Sequence, residues 1–219
     1  MGGTLWMETV KAVPNLAVAL LTLTLGWLVG NRLTARWDER KKRRELDLLA
    51  LGAFYEAYGQ FCSIWKSWDG APASFREDDR FQAEMLSRAA EAEGKVESLL
   101  VRLASEHSLS QRECTLLGCF RQAFQSLRKS IQRKVPLQSR IYKSGTREIV
   151  AHRWTSADAP PYLAFKALAG FTSDLMSNSS LSSREPESSF IALRRITSNA
   201  LERTWVDETF QLLSPGSRT

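Results

Sequence analysis

Two patterns of apolar positions divide the chain. Residues 12–31 carry no charged side chain, and their only polar ones are Asn15, Thr22, Thr24 and Asn31, so the run has no wet stripe. Beyond residue 45 apolar residues instead return every three or four positions, the spacing of amphipathic helices. As a helix rising 1.5 Å per residue, the charge-free run is about 30 Å long, the thickness of a bilayer's hydrocarbon core. It predicts an uncleaved membrane-spanning helix, because Leu28, Val29 and Gly30 lead straight into Asn31, Arg32 and a basic cluster with no cleavage site between them.

The next apolar pattern predicts a helix over 45–68. Leu48, Leu51, Tyr55, Tyr58, Cys62 and Trp65 follow the heptad spacing of a coiled coil, and Phe54, Phe61 and Trp68 form a second row seven apart beside it. Together they make a stripe wide enough for a bundle core. Residues 48–65 contain only Glu56 as a charge and so allow a second membrane span as the alternative. Glu56 argues against it: a carboxylate near the bilayer centre costs roughly 2.5 to 3.5 kcal/mol, and Gln60 adds to that.

Turn residues at 69–72 precede a helix predicted over 75–105, with Phe81, Met85, Ala89, Ala92, Val96, Leu99 and Leu103 on one face. Ser110 followed by Glu113 is a capping box, opening a helix whose inner face is Leu116, Leu117, Phe120, Ala123, Phe124, Leu127 and Ile131. Residues 135–159 are the least regular, with a short strand or turn around 148–154. Another helix is predicted over 162–176, a serine-rich loop over 177–189, and a final helix over 186–213. The expected fold is all-α: a single N-terminal transmembrane helix continuing into a cytoplasmic bundle of about four to five helices. Its divisions are a short outer tail (1–11), the span (12–31), a polybasic juxtamembrane helix (32–47), the bundle (48–213) and a tail (214–219).

Charge fixes the orientation. The 219 residues carry 30 Lys and Arg against 24 Asp and Glu, but the excess is local. Arg32, Arg36, Arg40, Lys41, Lys42, Arg43 and Arg44 follow the run with only Asp38 and Glu39 among them, whereas Lys11 alone precedes it. Basic residues beside a span are retained on the cytoplasmic side, so the N-terminus is expected outside and the bundle at the inner face of a cell membrane. Arg36, Arg40, Lys41, Lys42, Arg43 and Arg44 are candidate contacts for anionic lipid headgroups. Within the span Thr22, Gly26 and Gly30 repeat every four residues, a small-residue ladder of the kind that packs two membrane helices together.

A second basic region covers 121–153, where nine Lys and Arg meet the single acid Glu148. Arg128, Lys129, Arg133, Lys134, Arg140, Lys143 and Arg147 are its candidate anion-binding residues. Residues 69–106 are acidic, so mutual attraction of neighbouring helices is the simpler account. No signature of an RNA- or DNA-reading module accompanies the basic segment, which leaves nucleic acid the weakest partner class.

Catalytic motifs are missing from the sequence: there is no phosphate-cradling P-loop, dinucleotide fingerprint, nucleophile elbow or zinc-binding His pair. Three Cys and two His cannot supply a disulfide framework or a His-based metal site. Cys114 and Cys119 read as small core residues and His107 as a helix-end residue. Neither enzyme activity nor a cofactor is expected.

The block Trp37-Asp-Glu-Arg-Lys-Lys-Arg-Arg-Glu-Leu-Asp-Leu48, with Phe54-Tyr-Glu-Ala-Tyr-Gly-Gln-Phe-Cys-Ser-Ile-Trp-Lys-Ser-Trp68, resembles a stretch of uncharacterised bacterial single-pass membrane proteins. The resemblance covers residues 32–68 and implies a bacterial inner-membrane protein with a cytoplasmic helical domain, without an activity. The expected function is a membrane-anchored interaction or scaffold module that holds itself, as a homodimer, or an unidentified protein partner at the inner membrane. The alternatives are an oligomerising, membrane-perturbing effector of the stress or phage-defence type and, more weakly, tethering of nucleic acid.

Overall fold

The computed structural model describes residues 3–142, 148–155, 158–177 and 187–214; before residue 47, side chains are described only at 24, 27, 30, 32, 34, 37, 38, 41, 42 and 45. The elements are α1 (Gly3–Gly70), α2 (Ala73–Glu77), α3 (Asp79–Glu106), α4 (Gln111–Gln132), β1 (Gln138–Tyr142), β2 (Ile149–Arg153), α5 (Pro160–Ser177), α6 (Ser189–Ile196) and α7 (Trp205–Leu213). The chain divides into two units, Met1–Asp47 and Leu48–Thr219. The first is helical throughout its described length.

Among the described residues no helix is long and apolar enough to cross a membrane. Within 12–31, the run that carries that expectation, only Thr24, Trp27 and Gly30 have described side chains. The alternative of a second span at 48–65 is overturned, because its apolar residues are spent inside the second unit: Phe54, Ala57, Phe61 and Ile64 are all buried in the core.

That burial grades the stripe. The row of Phe54, Phe61 and Trp68 is fully buried, and the heptad row beside it is half-buried against the core at Leu51, Tyr58, Cys62 and Trp65 but turns outward at Leu48 and Tyr55, 61 % and 54 % exposed. Phe54 meets Phe120 at 5.5 Å and Phe61 meets Phe124 at 4.9 Å between ring centroids, so α4 is the partner surface.

α4 is the central helix of the second unit. Fourteen of its residues are buried, on every side of the helix, as a helix surrounded by others requires. α3 runs against it, α5, α6 and α7 also pack on it, and β1 touches both α4 and α7. Its start is the predicted capping box: Ser110 Oγ accepts from the Glu113 N–H at 3.3 Å and the Ser110 N–H donates to Glu113 Oε2 at 2.6 Å. Its end is a Schellman stop, with the Lys134 N–H donating to Ile131 O at 3.0 Å and the Val135 N–H to Ser130 O at 3.1 Å. Lys134 takes the left-handed position usually given to glycine, at φ 56°.

Two expected helices are altered. The one over 75–105 is broken at Asp78, whose side chain accepts from the Arg80 N–H and caps α3. The final helix is split into α6 and α7 by turns at 197–204, and Phe190, assigned inward by periodicity, is 74 % exposed. The irregular region contains an antiparallel hairpin with Gln138 opposite Arg153 and Tyr142 opposite Ile149, so the bundle carries a two-stranded flap.

Candidate functional site

Of the membrane-helix ladder, Gly30 is exposed, and a Cβ there would meet nothing within 4 Å. Thr22 and Gly26 lie outside the residues with described side chains, as do Arg36, Arg40, Arg43 and Arg44 in the collar. Lys41 and Lys42 are exposed.

The structure separates the second basic region into paired and unpaired cations. Arg121 Nε donates to Glu97 Oε1 at 2.6 Å, and its Nη1 reaches Thr197 O and Asn199 Oδ1, each at 3.3 Å. Arg128 Nε is in ionic contact with Glu93 at 2.7 Å, off the line of a hydrogen bond. Lys134 Nζ donates to Asp79 Oδ1 at 2.8 Å. That bond holds the Asp79 carboxyl below the usual carboxylate range. Glu93, Glu97 and Asp79 all belong to α3, so acidic α3 and basic α4 do attract one another as the charge pattern suggested. Arg128 and Lys134 thereby serve the helix pair. Lys143 and Arg147 lie outside the described residues.

What remains converges on a cavity of about 130 Å³. Its walls are the C-terminal half of α4, β1, Ala151 of β2 and Glu202 from the turn before α7. Lys129, Arg133 and Arg140 line it together with that single carboxylate, an excess of positive charge. Lys129 Nζ sits 2.8 Å from Glu202 Oε2. The hydrogen bond from Lys129 holds Glu202 below its ordinary range, and Arg140 and Arg133 push in the same direction. Arg133 and Arg140 are both exposed, with no carboxylate in ion-pair distance among the described residues.

The inner wall is polar and incompletely satisfied. Gln122 is 1 % exposed and Gln125 5 %. Gln122 Nε2 donates to Ser198 O at 3.1 Å, which fixes the amide so that Oε1 is left without a donor. Gln125 Oε1 is likewise buried without a protein partner. The hydroxyls nearby are engaged: Ser126 donates to Gln122 O at 2.9 Å, Ser130 Oγ accepts from the Gln138 N–H, and Ser139 Oγ accepts from Trp154 Nε1 at 2.9 Å. Buried polar groups are usually paired; among the described residues Gln60 Oε1, Arg128 Nε and Trp205 Nε1 share this state, and the two glutamine oxygens present no accessible surface to the cavity.

The cavity's frame is tied to the end of α1. Trp68 Nε1 donates to Val135 O at 2.7 Å, and Asp69 accepts from the Leu137 N–H at 2.8 Å and from Trp65 Nε1 at 2.9 Å. Burial raises the Asp69 carboxyl above its ordinary value, against the pull of those two donors. Gln82 Nε2 caps α4 from α3 by donating to Ile131 O and Gln132 O.

The thiols are placed for packing. Burial pushes Cys114 and Cys119 up to about 12, and Cys62 upward too, opposite to the shift that activates a nucleophile. His107 is the C-cap residue of α3. No group of three or more metal-ligating side chains occurs among the described residues.

Sequence reasoning named the cations of the cavity and missed its amides. The available signal was the three-and-four spacing of Gln122, Gln125, Ser126, Lys129, Ser130 and Arg133, a polar face on α4 beside its apolar one. Comparison with models of known protein families, with curated proteins and with solved structures gives no match.

Proposed function

We propose that this chain is a membrane-anchored helical module: α1 enters the inner membrane by residues 12–31, and the unit from residue 48 onward works at its cytoplasmic face, holding a second copy or a protein partner there. The observation that carries the reading is the uncharged run between Lys11 and Arg32, followed at once by seven basic residues in thirteen positions. Each basic residue near an anionic leaflet contributes about 1 kcal/mol, so Lys41, Lys42 and their neighbours anchor the helix as well as orient it. A continuous α1 supports the mechanism, since position 30 of the run and the buried Phe54 belong to one helix. Thr22, Gly26 and Gly30 give self-association a place to occur.

The test is a C-terminal reporter fusion in bacterial cells, combined with carbonate extraction of membranes and crosslinking of the wild type and Gly26→Leu. A cytoplasmic C-terminus, resistance to extraction and loss of the crosslinked dimer in Gly26→Leu are expected. Release of the full chain by carbonate overturns the anchor, and an unchanged crosslink in Gly26→Leu overturns the dimer.

A further inference from the structure

The outer edge of β2 is a row of backbone groups that the chain leaves unused. The Trp154 N–H donates to Leu137 O at 3.3 Å, and the strands keep the same register from Gln138 opposite Arg153 to Tyr142 opposite Ile149. Bonded pairs alternate along an antiparallel ladder, so Ser139 bonds with His152 and Ile141 with Val150, while the N–H and C=O groups of Ile149, Ala151 and Arg153 point away from β1. The sheet has two strands, and among the described residues none of those outward groups has a hydrogen-bond partner. All three residues are exposed. Natural edges are usually blunted by a proline, a bulge or an inward-pointing charge. Residues 149–153 keep an unbroken register and contain no proline, so an extended peptide can add to them as a third strand.

The side chains around that edge choose the peptide. Ile149, Ala151 and Arg153 share one face of the hairpin with their cross-strand partners Tyr142, Arg140 and Gln138. Tyr142 and Ile149 are 41 % and 37 % exposed and form an apolar pair at one end of the face, where Asp207 already accepts from the Tyr142 N–H. Towards the other end Arg140 and Arg153 are exposed, with no carboxylate in ion-pair distance among the described residues. Glu202, the nearby acid, is held by Lys129. A third strand lies about 4.8 Å beyond β2. Between it and Arg140 stands only the methyl group of Ala151, and both residues border the same open space.

We infer that β2 is the docking edge for an acidic, extended segment of a protein partner, which adds antiparallel to Ile149–Arg153 with acidic side chains at its first and third positions and an apolar one at its fifth. The backbone edge supplies the hydrogen bonds and the face supplies the selection. The first carboxylate meets Arg153, the second passes Ala151 to reach Arg140, and the apolar side chain covers Ile149 and Tyr142. The inference rests on the partner-holding part of the proposed function and is independent of the membrane anchor, which carbonate extraction reads separately.

The test is fluorescence anisotropy of the full chain in a non-ionic detergent with the labelled peptide Thr-Glu-Thr-Glu-Thr-Val-Thr and its counterpart Thr-Lys-Thr-Lys-Thr-Val-Thr. The acidic peptide is expected to bind at least roughly tenfold more tightly, as opposite charges steer and select a partner. N-methylation of its two Glu and its Val, whose N–H groups face β2, abolishes binding, whereas N-methylation of the Thr residues between them leaves it in place. Arg140→Gln and Arg153→Gln together, at exposed positions, remove the preference for the acidic peptide with an unchanged melting temperature. Ala151→Pro takes away one outward N–H without touching the bonds to β1, and weakens binding by roughly tenfold or more. Absence of binding at millimolar peptide overturns the proposal. So does equal affinity for the two methylated peptides, which reduces the contact to charge alone. Self-association that Ala151→Pro abolishes and the acidic peptide fails to compete assigns the edge to a second copy, and tighter binding of a thymidine oligonucleotide, lost in the double arginine variant, assigns it to nucleic acid; either overturns the proposal.

Discussion

Phe165 of α5 is the ring on which the aromatic core turns, and Phe165→Ala measures what that core contributes. The side chain is fully buried and meets five other rings: Phe61 at 4.3 Å, Tyr58 at 5.3 Å in a stacked pair, Phe120 and Trp154 at 5.5 Å, and Phe124 at 6.0 Å. Those partners come from α1, α4 and the strand exit, so no single element can move in to fill the void. Truncating a core Phe to Ala costs about 3 to 5 kcal/mol, and poor collapse places this site at the upper end. Aromatic pairs add about 0.5 to 1.5 kcal/mol each beyond their buried area, so Phe165→Leu still loses part of the effect. For a domain of this size 1 kcal/mol moves the melting temperature by about 2 to 4 °C, which predicts a fall of roughly 10 to 20 °C for the Ala variant. Leu163→Ala, on the same helix but 42 % exposed, is the internal control, expected within about 0.5 kcal/mol of wild type. Thermal denaturation followed by circular dichroism compares the three variants. If Phe165→Ala melts with Leu163→Ala, the rings do not form one core and the assignment of residues 54–68 to the bundle fails with it.

Three further outcomes follow from the packing and the charges. Gly118 lies where α4 passes the end of α6, and a Cβ there would meet Leu201 Cδ1 at 3.3 Å and Ile196 O at 3.5 Å; Gly118→Leu should cost about 1 to 3 kcal/mol in a urea melt by overpacking, whereas a neutral result would show that the two helices are farther apart. The depressed Glu202 carboxyl contributes stability above its unfolded value, roughly pH 4.3, and loses it as pH falls through the folded one, so wild type should drop more steeply than Glu202→Gln below about pH 5. Parallel urea midpoints across that range would contradict the Lys129 pairing. With a chromogenic disulfide at pH 8, half-buried Cys62 should react before buried Cys114 and Cys119, which should wait for denaturant; prompt labelling of all three thiols would refute their place in the core.

The parts of the fold readable in sequence were those where one residue type meets one environment. The apolar rows of α3 and α4, from Met85 to Leu103 and from Leu116 to Ile131, are buried as their spacing predicts, because apolar residues return every three or four positions on each helix. The Ser110 cap was equally local. In the 48–68 stretch apolar residues cover more than one face, and periodicity alone could not rank the row of Tyr55 against that of Phe54; the position of α4 decided it. The break before α3 is capped by the Asp78 side chain accepting from the Arg80 N–H, which apolar spacing does not show, and the turns between α6 and α7 hold Glu202 against Lys129. The candidate site was half legible for a related reason. Formal charge announces Lys129, Arg133 and Arg140, but a glutamine is informative only once its surroundings have removed every partner, as they have for Gln122 and Gln125.

The stop at the end of α4 bears on the order in which the chain can assemble. Lys134 holds a backbone position suited to glycine, and the groups that secure the turn lie 49 to 68 residues away: Gln82, Asp79, Trp68 and Asp69. All of them precede it, so each has left the ribosome before α4 is finished. The remaining ties come from downstream, where Glu202 meets Lys129 and Asp207 accepts from the Tyr142 N–H. During synthesis, then, the floor of the cavity can be set while its last wall is still being translated, and the pocket becomes complete only when the segment leading into α7 arrives.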